Sequence, residues 1–412
     1  MKNKIKIIDS PMGYGKTSYL IQMINENPTN KYIFITPFLD EVDRIIENCN
    51  NFKQPNNKNS KGSKLESMKK LVSKGYNIAS THALFSYADE ELIKLIQSQG
   101  YTLLLDEVMD VISSVDIKKD DINSLFNEKC IDIDKEDYNK VIWLDDNYNG
   151  RFNDIKIMAY NNSLYYVKDT LLVWSFPVNI FTSFEEVYIS TYMFDSQIQK
   201  YYYDYYNVEY EYYHVLKYND KYKIEKTINF DYDKEFRKKA KELINIIDNK
   251  KINSIGDYYG NNNYKTALSK TWYLKNENNE LLKVLKNNLV NFFRNYCNDK
   301  SDLNMWTTFE QYKLKLKGKG YTKGFVPCNS RATNQYSNKK NCAYVINRYL
   351  NPFYQAFFDN RNIKIDQDKY ALSEMLQWIW RSAIRNEEKI NLYIPSKRMR
   401  GLLIDFLNDK KL

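Results

Sequence analysis

The stretch SPMGYGKT, residues 10–17, constrains the fold of this chain more than any other. An apolar, strand-like run, IKIID, precedes it, and a helical pattern follows from about Thr17 to Asn25. Gly13 and Gly15 let the backbone turn so that its N–H groups face an anion. Lys16 supplies a point charge, and Thr17 supplies a hydroxyl placed to bind Mg²⁺. These are the parts of the phosphate-gripping pattern G-x-x-x-x-G-K-[ST], met here except at its first position, which is Ser10. The helix beginning there aims the positive end of its dipole at the same anion. The candidate nucleotide-binding set is Ser10, Gly13, Tyr14, Gly15, Lys16, Thr17 and Ser18. The competing interpretation is a glycine turn between strand and helix with a chance lysine.

A phosphate loop of this kind needs a second acidic strand end, and TLLLDEV at 102–108 supplies one. Asp106 would hold the magnesium through water. Glu107 would orient and deprotonate an attacking water. The alternative for this pair is a helix cap, since Asp and Glu favour first turns. Around these segments, strand-like and helical patterns alternate. KYIFITPF is a strand, DEVDRIIENC an amphipathic helix capped by Asp40, NIAST a strand, and 90–99 a helix. Such repetition predicts a parallel sheet covered on both faces. Residues 112–180, acidic between Asp116 and Asp146, form an insertion at the edge of this lobe. The tyrosine-rich 201–213 partly alternates and predicts a strand. NMWTTF, CAYVINRY, a helix around SEMLQWIWRSAIR, and INLYIPS compose a second α/β unit. The expected lobes are 1–205 and 206–412.

Composition narrows the function classes. No apolar run reaches the ~18 residues that span a bilayer, and no secretory leader precedes the first strand, which points to the cytoplasm. With five cysteines, none at C-x-x-C spacing, and two histidines, a zinc site or a disulfide scaffold is not expected. The net charge of +9 favours polyanion partners. An AT-rich genome, which fills a chain with Lys, Asn, Ile and Tyr, would also produce it.

At this point the segments fall in the order of a known family. The chain resembles the superfamily 2 helicases, most closely the DEAD/DEAH type encoded by bacteriophages. SPMGYGKT matches motif I, and LLLDEVMD motif II. ITPFLDEVDRI, with Thr36, Pro37 and Arg44, resembles motif Ia, and ASTHALF, around Ser80, Thr81 and His82, the next strand-end segment. YISTYMFDSQ, with Ser190 and Thr191, takes the place of motif III, and MWTTF, with Thr308, that of motif IV. CNSRATNQY, with Arg331, Thr333 and Asn334, resembles motif V. QWIWRSAIR, with Gln377, Arg381 and Arg385, resembles motif VI, although Trp380 stands where the family has glycine and Arg385 lies one residue late.

The resemblance implies two RecA-like lobes with mainly parallel sheets covered by helices, ATP and Mg²⁺ as ligands, and an NTP hydrolase that moves on nucleic acid. Lys16, Glu107, Arg381 and Arg385 would be catalytic, the arginines neutralising charge on the transferred phosphoryl group and sharing one helix face. Thr17 and Asp106 would hold the metal. Thr36, Thr81, Thr308 and Thr333 would touch the phosphates of one strand; each is equally readable as a strand-end or cap residue. The expected partner is single-stranded or forked DNA, with RNA open, no membrane, and other replication or recombination proteins in the host cytoplasm. A DNA helicase or translocase of replication or recombination is the leading expectation. A nucleotide-switched DNA-binding or loading ATPase is the second, and a phosphotransferase the third.

Overall fold

The computed structural model describes residues 4–58, 62–227, 233–257, 265–328 and 335–410. The chain divides into two compact units. The first comprises Met1–Ser10, Tyr14–Ile228 and Asn351–Ile365; the second comprises Pro11–Gly13, Asn229–Leu350 and Asp366–Leu412.

The first unit opens with β1 (Ile5–Asp9), β2 (Lys31–Thr36), β3 (Phe52–Lys53), β4 (Asn77–Thr81) and β5 (Tyr101–Asp106). Then come β6 (Ile112–Ser114), β7 (Ile131–Asp134), β8 (Lys140–Trp143), β9 (Leu164–Val167), β10 (Leu171–Ser175), β11 (Glu186–Thr191), β12 (Tyr210–Tyr218) and β13 (Lys221–Lys226). Its helices include α1 (Lys16–Glu26), α2 (Leu39–Asn48), α3 (Lys64–Ser73), α4 (His82–Phe85) and α5 (Glu90–Gln99). The main sheet runs β13-β12-β1-β11-β5-β2-β4-β3, parallel throughout except for the β12–β13 hairpin. Ile8, Phe34, Leu104 and Tyr188 pack on one face with Leu20 of α1 and Val42 of α2. Their neighbours Ile7, Ile33, Leu103 and Ile189 are equally buried. Alternate residues point to opposite faces, so both faces of the sheet are covered, as the unbroken apolar runs require.

The register levels the carboxyl ends of these strands: Asp9 lies beside Thr191, Ser190 beside Asp106, and Thr36 beside Thr81. In open parallel sheets the crevice outside these ends is where ligands bind.

The insertion is a sheet of its own, ordered β6-β10-β9-β8-β7 and antiparallel. Ile122, Leu125, Trp143, Ile155, Leu164 and Leu172 form a separate core for it. The clustered acids are largely turn and cap chemistry. Asp134 Oδ1 accepts from the N–H groups of Glu136 and Asp137 at the β7–β8 turn, and Asp120 and Asp121 open a helix at its positive end.

The second unit holds β14 (Ile244–Ile246), β15 (Asn304–Thr307), β16 (Asn341–Tyr344) and β17 (Ile390–Tyr393), all parallel in the order β14-β17-β16-β15. The protein is thus mixed α/β with mainly parallel sheets covered by helices. Among the described residues, no helix is long and apolar enough to cross a membrane.

Three local expectations are corrected. Asp40 does not cap α2: the chain is extended at Phe38 and the helix begins at Leu39, so Asp40 and Glu41 lie in the first turn, where their charge meets the dipole. Residues 201–205 are helical, in Ile198–Tyr205, and extended chain resumes only at Tyr210. Tyr201, Tyr202, Tyr203 and Tyr205 are all buried. Lys200 and Asp204 are half-buried and pair at 2.6 Å across one helical turn, an i,i+4 spacing that the run of tyrosines masks. Finally, Arg381 and Arg385 do not share an α-helix. The helix Gln367–Ile379 ends one residue before Trp380, which docks on Phe236 with ring centroids 4.6 Å apart. The Ala383 N–H then leaves the helical ladder for the Lys339 carbonyl at 2.8 Å.

Candidate nucleotide-binding site

The loop from Ser10 to Gly15 leaves the end of β1 and turns directly into α1. Gly13 and Gly15 take φ of 85° and 81°, the left-handed region where a side chain is strained. Beyond Gly13 there is open space: a Cβ there would meet nothing within 4 Å. At Gly15 a Cβ would lie 2.2 Å from the ring of Tyr222. The N-terminus of α1 has no side-chain cap and no acidic residue in its first turn. Its dipole therefore meets no competing carboxylate from its own sequence.

Ser10, the departure from the glycine pattern, has a role in the sheet. Its hydroxyl oxygen accepts from the Val215 N–H on β12 at 2.8 Å, and its own N–H donates to the Thr191 carbonyl at 3.0 Å. A glycine could make the second bond but not the first. Lys16 is buried, and its Nζ donates to the Ser10 carbonyl at 2.6 Å. Tyr14 is 39 % exposed, and Ser18 is half-buried on α1.

The two acids sit two strands away from β1, with β11 between. Asp106 Oδ1 accepts from the Thr17 hydroxyl at 3.3 Å and from the Ser190 hydroxyl at 2.8 Å. Glu107 Oε2 accepts from the Thr191 hydroxyl at 3.0 Å. Glu107 itself has φ of 65°, an uncommon value for a non-glycine residue. Burial, then repulsion from Glu107, raises the Asp106 carboxyl to about 6, with the Ser190 hydroxyl and Lys16 pulling the other way. Asp9 is a further buried carboxylate that the sequence did not single out. Its oxygens accept from the Met193 and Phe194 N–H groups, both at 2.9 Å, tying β1 to the turn after β11.

The oxygens present suit magnesium. Thr17 and Asp106 bring a hydroxyl and a carboxylate together, hard donors of the kind Mg²⁺ takes in small number beside substrate phosphates and water. Among the described residues there is no cluster of three or more His, Cys, Asp and Glu that would make an all-protein metal cage.

The other expected residues are distributed as follows. Thr36, on β2, is buried, and its hydroxyl has no hydrogen-bond partner among the described residues. The Thr81 hydroxyl accepts from the Leu84 N–H at 3.4 Å and so caps α4. Thr308 follows β15 and is 1 % exposed. In the second unit Arg381 is 5 % exposed, whereas Arg385 is exposed on a 3₁₀ turn. Thr333, with Arg331 and Asn334, lies outside the described residues. The structure therefore brings Ser10, Lys16, Thr17, Asp106 and Glu107 together, and it adds Asp9, Ser190, Thr191 and Tyr222 around them. Ser190 and Thr191 were legible as hydroxyls at an apolar strand end. Asp9 and Tyr222 carried no signal, because only the folded sheet brings them to the loop.

Comparison with known proteins gives the following. Residues 238–407 match the model of the YonV C-terminal Rossmann-like domain, and residues 112–174 that of the YonV middle domain. The chain is 45 % identical over 424 aligned positions to the SPbeta prophage-derived uncharacterized protein YonV of Bacillus subtilis (strain 168), covering 99 % of this chain and 100 % of that one. Among solved structures, Xpd4 of S. tokodaii aligns with 98 % of this chain and 94 % of its own, at 11 % identity and a TM-score of 0.43. The DUF1998 helicase MrfA bound to DNA aligns with 99 % of this chain at 9 % identity and a TM-score of 0.34, and the chain spans 46 % of MrfA's length.

Proposed function

The chain belongs to the YonV family, and from the site built on its first sheet we propose that it is an ATP-dependent nucleic-acid motor, a phage-type DNA helicase or translocase. One observation carries this reading. The loop threonine, the Asp106–Glu107 pair and the Ser190–Thr191 pair meet at level strand ends, linked by hydrogen bonds of 2.8–3.3 Å, with Lys16 beside them on the Ser10 carbonyl. A chance glycine turn has no need of a threonine hydroxyl on an acidic strand end two strands away. The prophage origin of the relative and the net charge of +9 support a phage protein that works on a polyanion in the host cytoplasm.

In this mechanism the loop N–H groups and the α1 terminus hold the β and γ phosphates of ATP, and Lys16 gives up the Ser10 carbonyl for a phosphate oxygen. Thr17 and Asp106 would hold a magnesium ion, which would neutralise phosphate charge. Glu107 accepts the proton of the attacking water as its oxygen bonds to the γ phosphorus and ADP departs. Thr191 fixes the Glu107 carboxylate for that task. Arg381 and Arg385 are the candidates for neutralising charge on the transferred group. Thr36, Thr81, Thr308 and Thr333 are those for gripping strand phosphates, a sequence-blind task suited to hydroxyls. The DNA would be single-stranded or forked, with RNA as the other substrate to test, and replication or recombination proteins as further partners.

The test is steady-state ATP hydrolysis with and without single-stranded DNA, duplex DNA and RNA. Turnover should rise with a nucleic acid, and Lys16→Ala should lower it by about 100-fold or more while the melting temperature stays close to the wild type. Full activity in Lys16→Ala would remove the site. Stimulated turnover without strand displacement would instead describe a nucleotide-switched loading ATPase. Turnover that needs a small acceptor and ignores nucleic acid would describe a phosphotransferase.

A further inference from the structure

His82 is the first residue of the four-residue α4, directly after Thr81, and it is half-buried. Its Nε2 lies 3.2 Å from the backbone carbonyl oxygen of Asp106. A carbonyl can only accept, so Nε2 is the protonated nitrogen in this bond. In the sheet order β5-β2-β4, the imidazole therefore spans the end of β2 to reach β5.

The carbonyl it holds belongs to the peptide unit that joins Asp106 to Glu107. The other end of the same peptide is also held: the Glu107 N–H donates to the Ser190 carbonyl at 2.8 Å. Two bonds on opposite edges fix the plane of that peptide, and with it the direction in which the Glu107 side chain leaves the backbone. The fixation is needed, because Glu107 sits at φ of 65°, a conformation that costs a non-glycine residue about 1 kcal/mol or more and persists only when its surroundings enforce it. If the His82 bond is lost, only one edge remains held, and the peptide can turn toward an unstrained φ.

Thr36 and Thr81 are register partners at the ends of β2 and β4, and Thr81 caps the helix that His82 begins. The buried Thr36 hydroxyl there has no partner among the described residues, and a phosphate oxygen brought against it would satisfy it. A strand seated on these threonines would set the position of α4, and α4 sets the position of the imidazole.

We propose that His82 is a positioning residue that couples a nucleic-acid phosphate seated at Thr36 and Thr81 to the orientation of the Glu107 carboxylate. This rests on the motor reading above. It adds the route by which an occupied strand site raises the rate of water attack.

The test compares His82→Phe, which fills the space without a donor, with His82→Gln, whose Nε2 can stand in for the imidazole Nε2, and His82→Asn, which is polar but too short. In saturating single-stranded DNA, His82→Phe should lower kcat for ATP about tenfold, the worth of one positioning hydrogen bond. KM for ATP should stay within about twofold of wild type, since ground-state binding is untouched. The ratio of stimulated to unstimulated turnover should fall toward one. His82→Gln should recover most of the ratio, and His82→Asn should behave like His82→Phe. The Asn variant gives the same readout should Phe prevent folding. Wild-type stimulation in both the Phe and Asn variants would overturn the coupling role and leave the motor reading standing. So would a parallel loss in Phe, Asn and Gln with a lowered melting temperature. If the wild-type protein hydrolyses ATP but no nucleic acid stimulates it, the motor reading fails first and the coupling role with it.

Discussion

Gly15 shows how one residue can be required for two separate reasons. Its φ of 81° excludes side chains on backbone grounds, and the Tyr222 ring excludes them on steric grounds. Tyr222 cannot simply swing away with its strand. Its backbone N–H donates to Gln22 Oε1 at 2.8 Å, and its carbonyl accepts from Gln22 Nε2 at 3.1 Å, so β13 is clamped to α1 beside the loop. Gly15→Ala should therefore destabilise the protein by about 1–3 kcal/mol in urea denaturation. Combined with Tyr222→Ala, the extra cost of the alanine should shrink to the backbone strain, about 1 kcal/mol. A double-mutant cycle with no coupling between positions 15 and 222 would show that the ring does not restrain the loop.

At the scale of elements, the strand ends are tied together by side chains, and Asp9 makes a tie that responds to pH. Burial lifts its carboxyl from the ordinary 3.8 to about 7, although the Phe194 and Met193 N–H groups favour the ionised form. Between those values the folded protein holds a proton that the unfolded chain has released. Stability is therefore fully present below the ordinary value and falls as pH rises through the window, by up to about 4 kcal/mol for a shift of this size. Asp106, raised to about 6, adds a smaller slope of the same sign. Melting temperatures measured from about pH 4.5 to 7.5 should decline more steeply for the wild type than for Asp9→Asn, which cannot titrate. Parallel curves would mean that Asp9 stays ionised on its two N–H donors.

The same ties explain what could be read beforehand. β1, β4, β5 and α5 are local patterns, an apolar run or a 3.6-residue period closed by turn or cap residues, and they sit where the sequence puts them. The places of Lys16, Thr17, Asp106 and Glu107 were legible because each follows from where an apolar run stops. The helix at Ile198–Tyr205 was not, since the buried run of tyrosines masks the i,i+4 spacing of Lys200 and Asp204. Nor was the stop at Ile379, where a backbone bond to Lys339, 44 positions earlier than Ala383, competes with the helical ladder. Such long-range competition leaves no trace in a window of neighbouring residues.

At the scale of the molecule, the two units are not two consecutive halves of the chain, because Asn351–Ile365 returns to the first. The helix Pro352–Phe358 supplies that unit with buried aromatics. Phe357 stacks on Tyr205 with centroids 4.7 Å apart and meets Tyr165 edge-on at 5.5 Å. Three residues after Phe358, the Arg361 guanidinium lies over the rings of Tyr138 at 3.9 Å and Tyr205 at 4.4 Å, and donates to the Tyr205 carbonyl. The segment thus reaches both the tyrosine-rich helix and the inserted sheet, and it completes a core that residues 1–228 leave open. Phe357→Ala should cost the first unit about 3–5 kcal/mol, the usual loss for a fully buried phenylalanine. Arg361→Ala should cost less, about 1–2 kcal/mol, through the lost cation–π contacts and an unpaired carbonyl. Both effects are read from the lower-temperature shift in differential scanning calorimetry. A chain ending at residue 228 makes the sharper comparison. If it melts at the temperature of the first unit in the full chain, the returning segment is only a passenger on the surface. If it melts well below that temperature, and Phe357→Ala in the full chain moves the first unit's transition toward it, then the first unit cannot reach its full stability until residues 351–365 have been made.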